Sequence, residues 1–196
     1  MTRLPTITDD LLDDEQRKLW ETVNGGRRAA SHQTTGGLID STGGLIGPFN
    51  GWLHSPVVGL PAAQLGESVR YDNSLDRDVL ELAIVTVAIH WRSEFEYWAH
   101  RGYALAAGIP AEVIDRLQGD ANYEPSIPRY AIIVRSCREL LASGTLGDAT
   151  FRDLIDEVNH RSIVDLITTV GYYTLVSFNL NAFQVALPEG VTPVWS

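Results

Sequence analysis

The sequence predicts an all-α protein, because its apolar residues are spaced as in helices, residues that end helices separate these segments, and the chain is apolar enough to form a core. From Ser55 onward, apolar residues recur at helical spacing almost throughout, and residues that end helices interrupt the pattern. The breaks are Tyr71-Asp72-Asn73, Gly108-Ile109-Pro110, Glu124-Pro125 and Ser143-Gly144. With 196 residues, 44% of them hydrophobic, the chain can fill a core without disulfides or a structural metal. We therefore expect one helical domain of ordinary size, or two fused small repeats.

The first predicted helix runs from Asp9 to Val23. Its apolar residues lie at helical spacing, and acidic residues occupy the early turns, where the helix dipole stabilises them. The following segment, Asn24 to Asn50, breaks this pattern with three glycine pairs and closes on GPFNGWLHSP. Because it contains neither GxxxxGK[ST] nor a strand-flanked GxGxxG, a flexible loop is favoured over a phosphate cradle.

Two apolar helices are predicted further along the chain. Leu75 to Trp91 contains LAIVTVAI, which is apolar enough to be buried on most sides, and its length and Leu, Ala and Glu content favour a helix over a buried strand. The next helix carries SEFEYWAH and should end at Gly108 and Pro110. Ile163 to Phe183 is a long apolar helix interrupted by Gly171, suited to central packing or to a contact between subunits.

Composition excludes several classes of function. A formal net charge of -10 repels phosphate backbones, so nucleic acid is not an expected partner. The single cysteine, Cys137, permits neither an internal disulfide nor a Cys-x-x-Cys motif. The start of the chain, MTRLPTITDDLLDDEQRKLW, has no apolar signal region, and uninterrupted apolar runs are short of membrane-spanning length. We expect a cytoplasmic protein with no membrane partner.

The stretch SEFEYWAH concentrates the chemistry. On a helix Ser93, Glu96, Tyr97 and His100 share one face, whereas Glu94 points elsewhere. An exposed Glu96–His100 pair would be an ordinary solvated contact worth about 0.2–0.5 kcal/mol. The surrounding aromatic residues instead predict partial shielding, which is the condition that tunes a histidine for proton transfer.

The segment LELAIVTVAIHWRSEFEYWAHRGYALAAGIPAEVIDRL resembles the core of the carboxymuconolactone decarboxylase and alkylhydroperoxidase-D superfamily. The resemblance is carried by Glu81, twelve positions before Ser93, by the spacing to Glu96 and His100, and by the turn AAGIP. It implies an AhpD-like helical fold assembled as an oligomeric bundle, in trimers or multiples of trimers. The chain would then be a single domain, 1–196, with its core at about 45–185 and the N-terminal helix and Gly-rich loop in 1–50.

The two branches of that superfamily differ in chemistry. In the hydroperoxidase branch, Cys-x-x-Cys occupies the positions of Ser93 and Glu96, with the acid at Glu81 and the histidine at His100 completing a proton relay. Serine and glutamate form no disulfide, and Cys137 lies outside the motif, so peroxidase activity by that route is not expected.

The decarboxylase branch carries Glu-x-Glu-x-x-x-His, which Glu94, Glu96 and His100 match. The resemblance thus implies protonation of the carbanion-like centre left when carbon dioxide departs from a muconolactone, although the particular substrate does not carry over. We therefore favour a cofactor-independent, metal-independent enzyme acting on a small carbonyl or lactone compound by decarboxylation or isomerisation. His100 would be the general acid or base, Glu96 would orient its imidazole, and Glu81 would complete the relay or hold the helix start.

Several side chains are candidate substrate contacts, each at least as readily a core or interface residue: Tyr97, Asn50, His54, Tyr172 and Tyr173. His90 and His160 are interpreted as structural. Three alternatives stay open: a Glu/His metal site, a non-catalytic binding or scaffold oligomer, and alkylhydroperoxidase-type antioxidant activity by family analogy.

Overall fold

The computed structural model describes residues 2–28 and 37–195. The described residues contain two isolated β-bridges but no strand, so the predicted all-α class is confirmed. Their nine α-helices are α1 (Asp14–Gly25), α2 (Phe49–Leu53), α3 (Pro56–Tyr71), α4 (Arg77–His90), α5 (Glu94–Ala106), α6 (Ala111–Gly119), α7 (Pro128–Ser143), α8 (Asp148–Glu157) and α9 (His160–Ala182).

The first helix begins later than the sequence predicts. Asp9–Leu11 forms a separate 3-10 turn, and α1 starts at Asp14 because Asp13 caps it. The Asp13 carboxylate accepts from the backbone N–H of Gln16 at 2.8 Å, and the Gln16 side chain accepts from the N–H of Asp13 at 2.9 Å. This reciprocal capping box fixes the helix start.

Part of the predicted Gly-rich loop is ordered structure. Residues 29–36 of the segment Asn24–Asn50 lie outside the described residues. The end of that segment forms α2, whose Phe49 and Trp52 side chains are buried and in edge-to-face contact at 5.5 Å. The prediction of a flexible loop to Asn50 was therefore wrong at its end, where Phe49 and Asn50 begin α2, because the burial of the aromatic residues outweighs the local glycine and proline content.

The chain divides into two compact units. The first comprises residues 1–72 and 179–186, and within it α1, α2 and α3 pack against one another. The second comprises residues 73–178 and 187–196, in which α5, α6 and α7 pack against α4, and α8 packs against α7. The predicted single domain with its core at 45–185 stays a prediction.

The centre of the second unit is α4. Every residue from Val79 to Ala88 is buried, as the continuous apolar run LAIVTVAI predicts. Within this run Glu81 is fully buried among apolar side chains, although burial of an unpaired carboxylate costs several kcal/mol. A charged residue in that position needs partners, and these are Arg77, one turn earlier on α4, and His100 on α5.

The long helix α9 buries one side and exposes the other. The exposed side carries an apolar stripe at helical spacing, formed by Val164, Ile167, Gly171, Leu175 and Phe178. By length and composition alone α9 could also cross a membrane, but 50% of its apolar window is buried within the protein, as in an ordinary core helix. The stripe is therefore an exposed apolar surface on this helix.

Candidate functional site

The site is built on the tight turn between α4 and α5. Arg92 adopts a left-handed conformation with φ 47°, and its N–H donates to the carbonyl of Ile89 at 3.1 Å. The N–H of Ser93 reaches back to the carbonyl of Ala88 at 2.9 Å. These two bonds form a Schellman motif, which ends α4 and places Ser93 at the N-cap of α5. A non-glycine residue in this conformation carries a modest strain, which the double hydrogen bond holds in place.

His100 lies between two carboxylates. Its Nδ1 is 2.6 Å from Oε2 of Glu81 on α4, and its Nε2 is 3.0 Å from Oε1 of Glu96, one turn earlier on α5. The three side chains are almost wholly buried, at 5% exposed for His100, 0% for Glu81 and 6% for Glu96. The structure thus brings together all three residues predicted as catalytic, and the solvated-helix interpretation of Glu96–His100 is wrong.

Arg77 extends this group toward solvent. Its Nη2 lies 2.7 Å from Oε1 of Glu81, in an i, i+4 ion pair along α4, and its side chain is 42% exposed. The four groups form a continuous chain from the surface into the core, from Arg77 through Glu81 and His100 to Glu96. The two positive and two negative groups balance when His100 is an imidazolium, which removes the main electrostatic objection to burying them.

The two short contacts of His100 suit a ring with a proton on each nitrogen. An unprotonated ring nitrogen and a carboxylate oxygen are both acceptors, so a hydrogen bond between them needs a proton. A neutral imidazole carries one N–H and can therefore make only one of the two short contacts of His100 as a hydrogen bond. An imidazolium carries a proton on each ring nitrogen and would make both contacts. A proton held between Glu96 and His100 in this shielded place would be well placed for transfer.

Aromatic rings enclose the imidazole. Tyr173 of α9 presents its edge to His100 with the ring centroids 5.1 Å apart, and the Tyr103 ring lies 5.7 Å away. Tyr172 contacts Tyr173 at 5.2 Å and so forms the next layer. Of the candidate substrate contacts, Tyr173 is therefore the one that the structure places directly against the histidine.

The other candidate contacts have different surroundings. Tyr97 is buried against Trp195 at 5.1 Å, and burial raises the pKa of its phenol, partly offset by a hydrogen bond with Arg101. Asn50 and His54 belong to the first unit. Asn50 accepts from the N–H of Ile7 at 2.9 Å and donates to the carbonyl of Pro5, which His54 also contacts at 2.9 Å. The polar atoms of Asn50 thus hold the N-terminal segment.

Glu94 leaves the His100 face, as the helical spacing predicts, and binds the end of the chain. Its two carboxylate oxygens accept from the backbone N–H groups of Val194, at 2.8 Å, and Trp195, at 2.6 Å. The Trp195 ring consequently lies on Tyr97, next to Glu96 in sequence. Neither Trp195 nor Arg77 was identified from the sequence. Arg77 could have been, because it lies four residues before Glu81 on a predicted helix.

The geometry does not favour a shared cation. The two ring nitrogens of His100 face different carboxylates, so the three side chains do not surround a common point. Across residues 2–28 and 37–195, no three His, Cys, Asp or Glu side chains are arranged to hold a metal ion. The two histidines interpreted as structural lie elsewhere on the helices, with His90 against the Trp91 ring and His160 at the start of α9.

The sequence matches no protein-family model and no curated protein. Solved structures are similar to it. An uncharacterized peroxidase-related protein from Ralstonia eutropha JMP134, described as an alkylhydroperoxidase AhpD core, has a TM-score of 0.73 and 15% identity over 96% of this chain and 93% of that one. An uncharacterized peroxidase-related protein from Silicibacter sp. TM1040 has a TM-score of 0.67 and 16% identity over 94% and 91%.

A third similar structure is a candidate antioxidant defence protein AhpD from Agrobacterium tumefaciens. It has a TM-score of 0.61 and 16% identity, over 71% of this chain and 96% of that one. At such low identity these likenesses establish the fold. The chain therefore has the AhpD-like helical fold that its sequence predicts, with a buried Glu–His–Glu group at the junction of α4 and α5.

Proposed function

We propose that this protein is an acid–base enzyme that transfers a proton next to a carbonyl group of a small lactone or keto compound, in a decarboxylation or an isomerisation. The observation that carries the proposal is the placement of His100 between two buried carboxylates, 2.6 Å and 3.0 Å from its two ring nitrogens. Such a group can deliver a proton to a carbanion-like centre, and it is then reprotonated by solvent after a decarboxylation or has already taken a proton from another carbon of the substrate in an isomerisation.

Each residue has a distinct part in this proposal. His100 and Glu96 hold the transferable proton, and the carbanion or enolate formed when carbon dioxide leaves takes it up. Glu81 fixes the orientation of the imidazole through Nδ1, and Arg77 balances the charge of Glu81. Tyr173 shields the ring from water on one side. The arrangement needs no redox partner, because it moves only protons.

Thiol peroxidase activity has little support from the residues present, despite the names of the similar structures. The positions at which the hydroperoxidase branch carries cysteines hold Ser93 and Glu96. Cys137 is fully buried on α7, and burial raises the pKa of its thiol to about 12. Peroxide reduction depends on an accessible thiolate, which Cys137 does not provide.

We expect Cys137 to be inert in the folded protein. At mildly alkaline pH an aromatic disulfide reagent should react with it only after denaturation, because the thiol is buried and stays protonated. Above the ordinary thiol pKa the unfolded cysteine ionises while the buried one does not, so Cys137 should make stability fall as pH rises from about 9 toward 12. A stoichiometric reaction of the native protein, or peroxide reduction abolished by Cys137→Ala, would contradict this.

We also propose that the active form is a homo-oligomer joined through the exposed stripe of α9. Four large apolar side chains there are 40–62% exposed, and a Cβ added at Gly171 would meet nothing within 4 Å. The stripe thus offers a shallow, apolar surface that another helix can approach closely.

Substitution of the stripe should dissociate the oligomer. Val164→Glu combined with Phe178→Glu places two charges on it, and light scattering should then report a particle near the chain mass of 21.6 kDa with unchanged helical content. Val57→Glu is the matched control, because Val57 is an exposed apolar residue on α3, and it should leave the oligomer intact. A wild-type particle of 21.6 kDa would overturn the assembly proposal.

A substrate screen tests the catalytic proposal. Small lactones and β-keto acids are incubated with the purified protein, and released carbon dioxide and isomerised product are both measured. We expect at least one compound to be turned over by the wild-type protein and not by His100→Gln. Turnover that persists in His100→Gln would sink the proposed mechanism.

A further inference from the structure

The start of α5 departs from its local sequence signal. Ser93-Glu94-Phe95-Glu96 has the S-x-x-E pattern of a capping box, in which the serine hydroxyl accepts from the N–H three residues on and the glutamate returns to the serine N–H. Neither half forms. Ser93 makes no side-chain cap, its N–H donates to Ala88 to end α4, and the Glu96 carboxylate contacts His100. In the same chain, the box at Asp13 is complete.

The uncapped start leaves hydrogen-bond donors without acceptors. Ser93 is fully buried, and among the described residues its hydroxyl has no hydrogen-bond partner. The first backbone bond of α5 runs from Tyr97 to the carbonyl of Ser93 at 2.9 Å, and no carbonyl in the described part of the chain accepts from the N–H groups of Glu94, Phe95 or Glu96. A buried hydroxyl that could cap a helix but does not is unfavourable unless something else binds it.

We infer that the Ser93 hydroxyl and the free N–H groups at the start of α5 bind an anionic oxygen of the substrate, a carboxylate or an enolate. This inference rests on the proposed acid–base function and adds the group that binds the substrate oxygen. Helix N-termini favour anions because their N–H groups and dipole converge on one point. Donors fixed before the reaction are well suited to stabilise charge that develops on an oxygen.

The two acidic side chains of this first turn do not occupy the site. The Glu94 carboxylate is held by the N–H groups of Val194 and Trp195, and the Glu96 carboxylate is held by His100. With a proton shared between Glu96 and His100, the pair is neutral overall and does not repel an incoming anion. The substrate oxygen would therefore lie at the helix start while Glu96 and His100, on the same helix face, deliver the proton to the adjacent carbon.

Acetate serves as the probe, with acetamide as its uncharged counterpart, and the backbone amide resonances of Phe95 and Glu96 report binding in the folded oligomer. We expect saturable shifts with acetate and none with acetamide at equal concentration. Ser93→Ala should weaken acetate binding about tenfold or more, since a hydrogen bond to a charged group is lost. Ser136→Ala is the matched control, because Ser136 is equally buried and has no hydrogen-bond partner in the described residues, but lies inside α7.

A stability measurement separates this role from capping. Ser93→Ala should not lower the melting temperature, because the hydroxyl caps nothing, whereas loss of a real cap would lower it. Undiminished acetate binding by Ser93→Ala, shifts equally strong with acetamide, or no saturable shift at either amide would overturn the inference. Acetate binding by a wild-type protein that turns over no compound would defeat the proposed function and leave the anion site standing.

Discussion

His100→Gln is expected to lower turnover of a responsive substrate by about 10²–10⁴-fold, the usual contribution of a positioned acid–base group. Glutamine keeps much of the size and polarity of the imidazole but cannot carry the transferable proton. The glutamine amide can still donate to one carboxylate, but it does not bridge Glu81 and Glu96 as the imidazole does at 2.6 Å and 3.0 Å. Initial rates of product formation, measured on folded oligomer at matched concentration, provide the test.

Two further variants show whether the loss is specific to His100. Glu96→Gln should reduce turnover less, because it keeps the shape and one hydrogen bond of the carboxylate. Glu94→Gln is the matched control, since it makes the same chemical change two residues earlier on a side chain that contacts the end of the chain instead. We expect it to leave turnover nearly unchanged. If Glu94→Gln lowered turnover as much as His100→Gln, the loss would be due to disruption of α5 and not to loss of proton transfer.

Glu81→Ala is expected to destabilise the fold by about 3–5 kcal/mol, the range seen when one partner of a buried charged group is removed. Glu81 is fully buried at the centre of α4 and contacts both Arg77 and His100. Its loss would leave the Nδ1 side of the buried imidazole without its hydrogen-bond partner, and would also open a cavity. The free energy of unfolding from urea titration, on protein at fixed concentration, measures the effect.

Asp115→Ala is the matched control for that change. Asp115 also pairs with an arginine, Arg101, at 2.9 Å, but it is 57% exposed, and exposed ion pairs contribute about 0–1 kcal/mol. Glu81→Gln should fall between the two because it fills the space without the charge. A loss for Glu81→Ala no greater than that for Asp115→Ala would show that the buried group is not held together by its charges.

The sequence was informative about the site because the chemistry lies on two consecutive helices. Glu96 and His100 are four residues apart, so a helix alone brings them together. The burial of α4 was also predictable, because LAIVTVAI carries no polar face. Arg77 could have been found by the same i, i+4 reasoning that paired Glu96 with His100.

Other parts of the site depend on residues distant in sequence. Tyr173 reaches His100 from α9, and Trp195 reaches Tyr97 from the end of the chain. No local periodicity encodes such contacts, since they follow from how helices pack. The end of the predicted loop, at Phe49 and Asn50, was misjudged for the same reason: the local glycine and proline content indicates a loop, and only tertiary burial of Phe49 and Trp52 makes it a helix.

The sequence by itself determined the all-α class, the main helix breaks and the pairing of Glu96 with His100, because each depends on spacing along one helix or on a residue that ends one. Gly108, for example, takes the left-handed conformation that ends α5, with φ 93°. The tertiary structure alone decided that Glu81 reaches the other nitrogen of His100 and that the S-x-x-E pattern at Ser93 forms no capping box. Both outcomes arise from the turn between α4 and α5. In this turn the Ser93 N–H bonds to the end of α4, so it is not available to the Glu96 side chain. The turn also packs α5 against α4, and there the Glu96 carboxylate contacts His100 instead of Ser93.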